Sequence, residues 1–231
     1  MKLLASDYDG TLRYEPKVVK EDLDALKRWQ QAGNLFVVVT GRSMESFMQE
    51  LKENDFQCDF IVLNNGGVIY DGSGKCLGVR YLDFDKAMEL IEYIRTLPCA
   101  SYVLNDGYHR HRVVIDASQK DLKYGDMPQE KDEKEILEGG KIAQIVISLS
   151  DDELAASIVR YINEQFSGFI QAYACLLYTS RARTVLKMSM TIKWLSRSTC
   201  QQMGQRRQRF PILQCSWNLR ALRSFRSIIL I

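Results

Sequence analysis

Two aspartates set the chemistry open to this chain. Residues 3–12 read Leu-Leu-Ala-Ser-Asp-Tyr-Asp-Gly-Thr-Leu, a short apolar run that ends in Asp7, Asp9 and a Gly-Thr turn. A strand points alternate side chains to opposite faces, but past its end the backbone turns, and carboxylates at i and i+2 can converge. Converging carboxylates repel unless a cation lies between them, and a hard divalent ion with oxygen ligands suits them. A carboxylate beside such an ion can also attack phosphorus and form an aspartyl-phosphate. The plainer alternative is turn chemistry, since Asp and Gly both favour turns.

The elements around these aspartates alternate. Residues 2–7 predict a buried strand. Residues 19–32 place Leu23, Leu26 and Trp29 at helical spacing, with Gly33 as the stop. Leu35–Val39 is β-branched and aromatic, residues 43–53 predict a second helix, and Phe60–Leu63 a third strand. Strands separated by helices imply a parallel sheet with right-handed crossovers, in which ligands bind beyond the carboxyl ends of the strands. Each of the three strands ends in polar residues: Asp7 and Asp9, Thr40-Gly41-Arg42, and Asn64-Asn65-Gly66-Gly67. Gly41 permits close backbone approach where a helix begins, and free N–H groups there suit a phosphate. Taken singly, Thr-Gly-Arg reads as a helix start with an exposed Arg, and Asn-Asn-Gly-Gly as a tight hairpin into Val68-Ile69-Tyr70. Three polar ends at one sheet edge are harder to dismiss together.

Composition bounds the class. The 231 residues, 46% hydrophobic and 26% charged, suit one large domain or two small ones with a real core. No stretch approaches the roughly 18 apolar residues of a membrane span, and the N-terminus reaches Asp7 too soon for a signal peptide. The six cysteines (Cys58, Cys76, Cys99, Cys175, Cys200, Cys215) form no C-x-x-C pair, so free thiols in a reducing cytoplasm are expected.

The net charge of +2 hides a split. Residues 1–175 carry 20 basic and 29 acidic side chains; residues 176–231 carry 11 basic side chains and no acid. Acidic residues make up about an eighth of ordinary usage, so such a segment arises by chance on the order of once in a thousand. A basic tail for nucleic acid or membrane is one reading. Against it, this segment holds Trp194, Trp217 and an Ile-Ile-Leu-Ile end, without amphipathic period or cap signals. A shifted reading frame accounts for it better. One nucleotide later, permissible codons turn Gln205–Phe210 into Asn-Asp-Gly-Ser-Asp-Phe. A stop at Met190-Thr191 in that frame means that a single slip does not account for the whole segment. No nucleic-acid or membrane partner is therefore expected.

Together, Asp7-Tyr8-Asp9-Gly10-Thr11-Leu12, Val39-Thr40-Gly41-Arg42 and Asn64-Asn65-Gly66-Gly67 with Val68-Ile69-Tyr70-Asp71 resemble the haloacid dehalogenase-like hydrolase superfamily. The likeness is to the Cof-type phosphatases with an α/β (type IIB) cap, and it runs to about residue 175. It implies an α/β fold: a Rossmann-like parallel core over residues 1–82 and an inserted α+β cap over 83–175. Residues 176–231 would be an atypical tail that leaves the core incomplete. The resemblance implies Asp7 as nucleophile toward a small phosphorylated metabolite such as a sugar phosphate. It makes Asp9 the general acid/base and Thr40 the hydroxyl on the transferring phosphoryl group. Mg²⁺ would bind the Asp7 carboxylate and the Asp9 carbonyl, with Gly41, Arg42 and Asn65 lining the pocket. The family's later Lys and its Gly-Asp-x-x-x-Asp-type loop are not readable in residues 176–231, where Lys187 and Lys193 lack the context. An inactive or poorly folded chain is therefore expected. A phosphotransferase, a phosphomutase or a non-catalytic metal-binding module would share the same Asp7 motif. In the cap, His109 and His111 beside Arg110 and Arg112 read as an exposed polar hairpin, since His-x-His alone is weak metal evidence.

Overall fold

A computed structural model describes residues 1–14, 16–119, 121, 123–149, 151–176, 184–189 and 228–230. The apolar runs at its start become β1 (Leu3–Asp7), β2 (Leu35–Val39) and β3 (Phe60–Leu63), joined by α1 (Lys20–Gln31) and α2 (Met44–Asn54). The three strands are parallel; Asp7 lies opposite Val39, and Val39 opposite Val62. Their carboxyl ends therefore share one edge of the sheet. Local signals fix the helix ends. Ser43 caps α2 by accepting the Ser46 N–H at 3.3 Å, and Asp55 closes it in a left-handed conformation (φ 49°).

β4 (Val68–Asp71) turns back antiparallel on β3, with Leu63 opposite Val68, and β5 (Cys76–Val79) pairs with β4. The expected hairpin is there. Its turn is a short 3-10 segment, Asn64–Gly66, in which Asn64 and Asn65 both have positive φ (50° and 55°). The order of this first sheet is β11-β1-β2-β3-β4-β5, where β11 (Ile228–Leu230) runs antiparallel to β1.

The second sheet is antiparallel throughout: β6 (Ser101–Asn105), β7 (Arg110–Val114), β8 (Gln144–Leu149), β9 (Gln171–Leu176) and β10 (Thr184–Ser189), in the order β7-β6-β8-β10-β9. Helices α3 (Phe84–Arg95) and α5 (Asp152–Gln165) cover one face. Strand alternation explains the two faces: Tyr102, Leu104, Ile145 and Ile147 meet the helices, whereas Val103 and Val146 meet Tyr124 and Met127. Within the charged stretch 119–140 the described residues form one helix, the six-residue α4 (Glu133–Glu138), and otherwise turns and loop. Each sheet has its own apolar core, one around Tyr8, Phe36, Phe47 and Phe56, the other around Leu90, Ile91, Ile94 and Ile158. The fold is α/β, as the alternation of elements required. No helix among the described residues is long and apolar enough to cross a membrane. Lys187 falls on β10; Lys193 and residues 205–210 lie outside the described residues.

Candidate active site

The shared edge of β1, β2 and β3 gathers the polar residues that end them. Asp7 closes β1, and its Oδ2 accepts the Thr11 hydroxyl at 3.1 Å. Gly10 takes a positive φ of 79°, and the turn closes through Leu12 N–H to the Asp7 carbonyl and Arg13 N–H to the Tyr8 carbonyl. Thr40, buried, follows β2 directly; its N–H donates to the Val62 carbonyl at 2.9 Å and its carbonyl accepts the Asn65 N–H at 3.2 Å. The Arg42 carbonyl accepts the Asn64 N–H at 3.0 Å. Thr40-Gly41-Arg42 and the Asn64-Asn65 turn are therefore stitched together by backbone bonds.

Arg42 does more than start α2. Its Nε and Nη2 each donate to one Asp9 carboxylate oxygen at 2.8 Å, a bidentate fork. Arg13 Nη2 reaches the same Asp9 Oδ1 at 3.0 Å. Burial pushes the Asp9 carboxyl up, but Arg42 and then Arg13 outweigh it and hold it below the ordinary 3.8. Asp9 is therefore a firmly held anion here.

Behind the arginines stands Glu50, a buried acid on α2. Its Oε1 pairs with Arg42 Nη1 at 2.7 Å, and its Oε2 accepts the Tyr8 hydroxyl at 2.8 Å and lies 3.7 Å from Arg13 Nε. Asn54, one helical turn on, donates to the Tyr8 hydroxyl at 3.2 Å. Burial, then the Glu50 bond and charge, push the Tyr8 phenol far above its ordinary value, so it serves as a neutral donor. Both guanidinium groups sit over the Tyr8 ring, 5.7 and 5.5 Å from its centre. Glu50 and Arg13 were not singled out from sequence. A signal for Glu50 existed: Glu50 and Asn54 interrupt the buried stripe Met44–Phe47, and a polar residue on such a stripe must find partners.

A hard cation finds suitable donors. The Asp7 carboxylate faces this edge, and the Asp9 carbonyl accepts no hydrogen bond among the described residues. The Asp9 carboxylate oxygens, by contrast, are both taken by arginine. Beside them, the Asn64 side-chain amide and the Asn65 Nδ2 are buried without a hydrogen-bond partner among the described residues. A buried amide left unmade costs about 1–3 kcal/mol, so these groups have hydrogen-bonding capacity to offer at this edge.

A family model described as haloacid dehalogenase-like hydrolase matches residues 4–185. The chain belongs to that family. It is 30% identical over 95 residues to the 5-amino-6-(5-phospho-D-ribitylamino)uracil phosphatase YwtE of Bacillus subtilis, a match covering 41% of this chain and 32% of that protein. The chain spans about a third of the length of the curated relatives it matches, 38% and 32%. In three dimensions, a haloacid dehalogenase-like hydrolase from B. subtilis superposes with a TM-score of 0.64 at 18% identity, covering 83% of this chain and 74% of that one. The subclass IIB sugar phosphatase BT4131 superposes with a TM-score of 0.60 at 12% identity, covering 82% and 70%. These two solved structures share the fold of this haloacid dehalogenase-like chain.

Proposed function

We propose that the strand-end cluster is a phosphomonoester site in which Asp7 is the nucleophile. A lone pair of its carboxylate forms the new O–P bond while the P–O bond to the leaving alcohol breaks. Asp9 gives its proton to the departing oxygen, then takes one from the water that cleaves the aspartyl-phosphate and frees inorganic phosphate. Thr40 and the buried Asn64 and Asn65 amides offer donors to the phosphoryl oxygens. Magnesium would be held by the Asp7 carboxylate and the Asp9 carbonyl, and would offset the repulsion between two anions. The observation that carries the reading is the common edge itself, with Asp7, Thr40 and Asn65 on three adjacent parallel strand ends.

The Arg42 fork adds a condition. It keeps Asp9 deprotonated, which suits activation of water; the earlier proton donation requires the fork to loosen when the ester binds. The second sheet and its helices would form the cap that excludes water and selects the leaving group. The names of YwtE and BT4131 favour a small phosphorylated metabolite, such as a sugar phosphate. This chain would turn over poorly, since residues 176–231 supply no readable later Lys or acidic loop.

The test is hydrolysis of p-nitrophenyl phosphate with Mg²⁺, by this chain and by the product of the same gene with its reading frame restored past the stop at Met190-Thr191, so that the codons of Gln205–Phe210 read Asn-Asp-Gly-Ser-Asp-Phe. The restored protein should hydrolyse the ester and lose activity on Asp7→Asn, and this chain should be far slower. Activity unaffected by Asp7→Asn would sink the assignment.

A further inference from the structure

We propose that the tip of the β6–β7 hairpin is a second metal site, built by Asp106, His109 and His111 for a borderline divalent ion of the zinc class. One ligand atom from each lies within 4.8 Å of the others. Asp106 Oδ2 is 3.3 Å from His109 Nδ1 and 3.3 Å from His111 Nε2. Good N–H···O hydrogen bonds run from about 2.7 to 3.2 Å, so both contacts are long for that role. They match another geometry. Zinc binds imidazole nitrogen and carboxylate oxygen at about 2.0–2.2 Å, and the edge of such a tetrahedron is about 3.3–3.6 Å. One carboxylate oxygen thus stands an edge length from each of two imidazole nitrogens.

The ligands are braced before any ion arrives. Asp106 Oδ1 accepts the N–H groups of Tyr108 and His109 at 2.8 and 2.7 Å, which fixes the carboxylate and turns Oδ2 toward the imidazoles. Gly107 has φ 102°, and a Cβ there would come within 3.2 Å of Val79 Cγ2, so the tight turn needs glycine. The hairpin is also anchored to the first sheet's side of the molecule. The Tyr108 carbonyl accepts the Glu45 N–H at 3.1 Å, Glu45 Oε2 accepts the Arg110 N–H at 3.1 Å, and the Tyr70 hydroxyl donates to the Gly107 carbonyl at 3.0 Å. His109 rests against the Tyr108 ring, with centroids 4.7 Å apart.

Donor chemistry selects the ion. Two imidazoles and one carboxylate favour zinc, cobalt or nickel over magnesium, which prefers oxygen. The side chain of His111 is 12% exposed and that of His109 55%, so one flank of the site opens to solvent and leaves room for a fourth ligand. This site shares no residue with the Asp7 cluster and does not depend on its assignment.

Untagged full-length chain, stripped with chelator and held in excess Mg²⁺, is titrated with Zn²⁺ calorimetrically and with Co²⁺ by absorption. One equivalent should bind at micromolar or tighter Kd, with a Co²⁺ spectrum lacking thiolate charge transfer. His109→Ala and His111→Ala should each weaken binding at least about tenfold, the loss that even outer partners of metal ligands cause. Asp106→Asn, which still accepts the two backbone bonds, should do the same without unfolding the hairpin. Cys76→Ser should change nothing. No stoichiometric binding, equal binding by the His109→Ala/His111→Ala double variant, or a thiolate band in the Co²⁺ spectrum would overturn the site.

Discussion

The two sheets place their buried polarity differently: the second keeps it on the strand face turned away from its helices, where Ser101, Asn105 and Gln144 lie, and the first gathers it at its carboxyl edge. Around the second sheet, the core between strands and helices is apolar, from Leu90 and Ile94 to Ile145 and Ile162. At the edge of the first sheet the chain buries Thr40, Glu50, Asn54 and Asn64, and joins two arginines to two acids across Tyr8. Buried polar groups cost stability unless paired, and breaking one partner of a buried ion pair is worse than never having it. One region is built to hold its shape. The other spends part of its packing on groups that can meet an anion.

Four experiments would break or sharpen that contrast. The largest expected effect is on chemistry at the polar edge: Asp7→Asn in the frame-restored protein should lower hydrolysis by roughly a thousandfold or more, with thermal unfolding almost unmoved. The apolar region should answer the other way. Leu90→Ala, fully buried under the second sheet, should cost about 3 kcal/mol in denaturant unfolding, with catalysis per folded molecule unchanged. A smaller loss of about 1–3 kcal/mol is expected from Glu50→Gln, which removes the charge that faces Arg42 Nη1 and Arg13 Nε and leaves Asp9 their one acidic partner in the cluster; near-wild-type stability would show that the network is decorative.

The smallest effect is in pH. Asp9 is held below 3.8 when folded, so the stability it adds is present above that value and fades as pH falls through the lower, folded one. Asp9 is partly exposed, so less than about 1 kcal/mol is at stake. Arg42→Ala should raise the Asp9 pKa, shift the acid limb of the restored enzyme's pH profile toward neutral, and flatten the acid dependence of unfolding. An unmoved limb would remove Asp9 from the proton-transfer steps.

Much of this was legible in the residues alone. Leu35–Val39 and Phe60–Leu63 became strands at the bounds expected from their β-branched runs. Gly33 closed α1 with φ 77°, as its position past the last helical Leu suggested. Asp7, Thr40 and Asn65 were each marked by their place after an apolar run. His109-x-His111 lacked its third partner, since Asp106 reaches both only when the hairpin folds.

What the sequence by itself determined was periodic and local: strand, helix, turn, and the order in which polar residues follow each strand. Those depend on neighbours within a few positions, where backbone sterics and side-chain alternation dominate. Only the tertiary structure decided which charge meets which. Arg42 grips Asp9 across 33 positions, and Tyr8 meets Glu50 across 42. Such pairings follow from how helix α2 lies against the sheet, and composition carries no record of that angle. The Arg42 fork on Asp9, and with it the constraint on the proposed mechanism, comes from that packing.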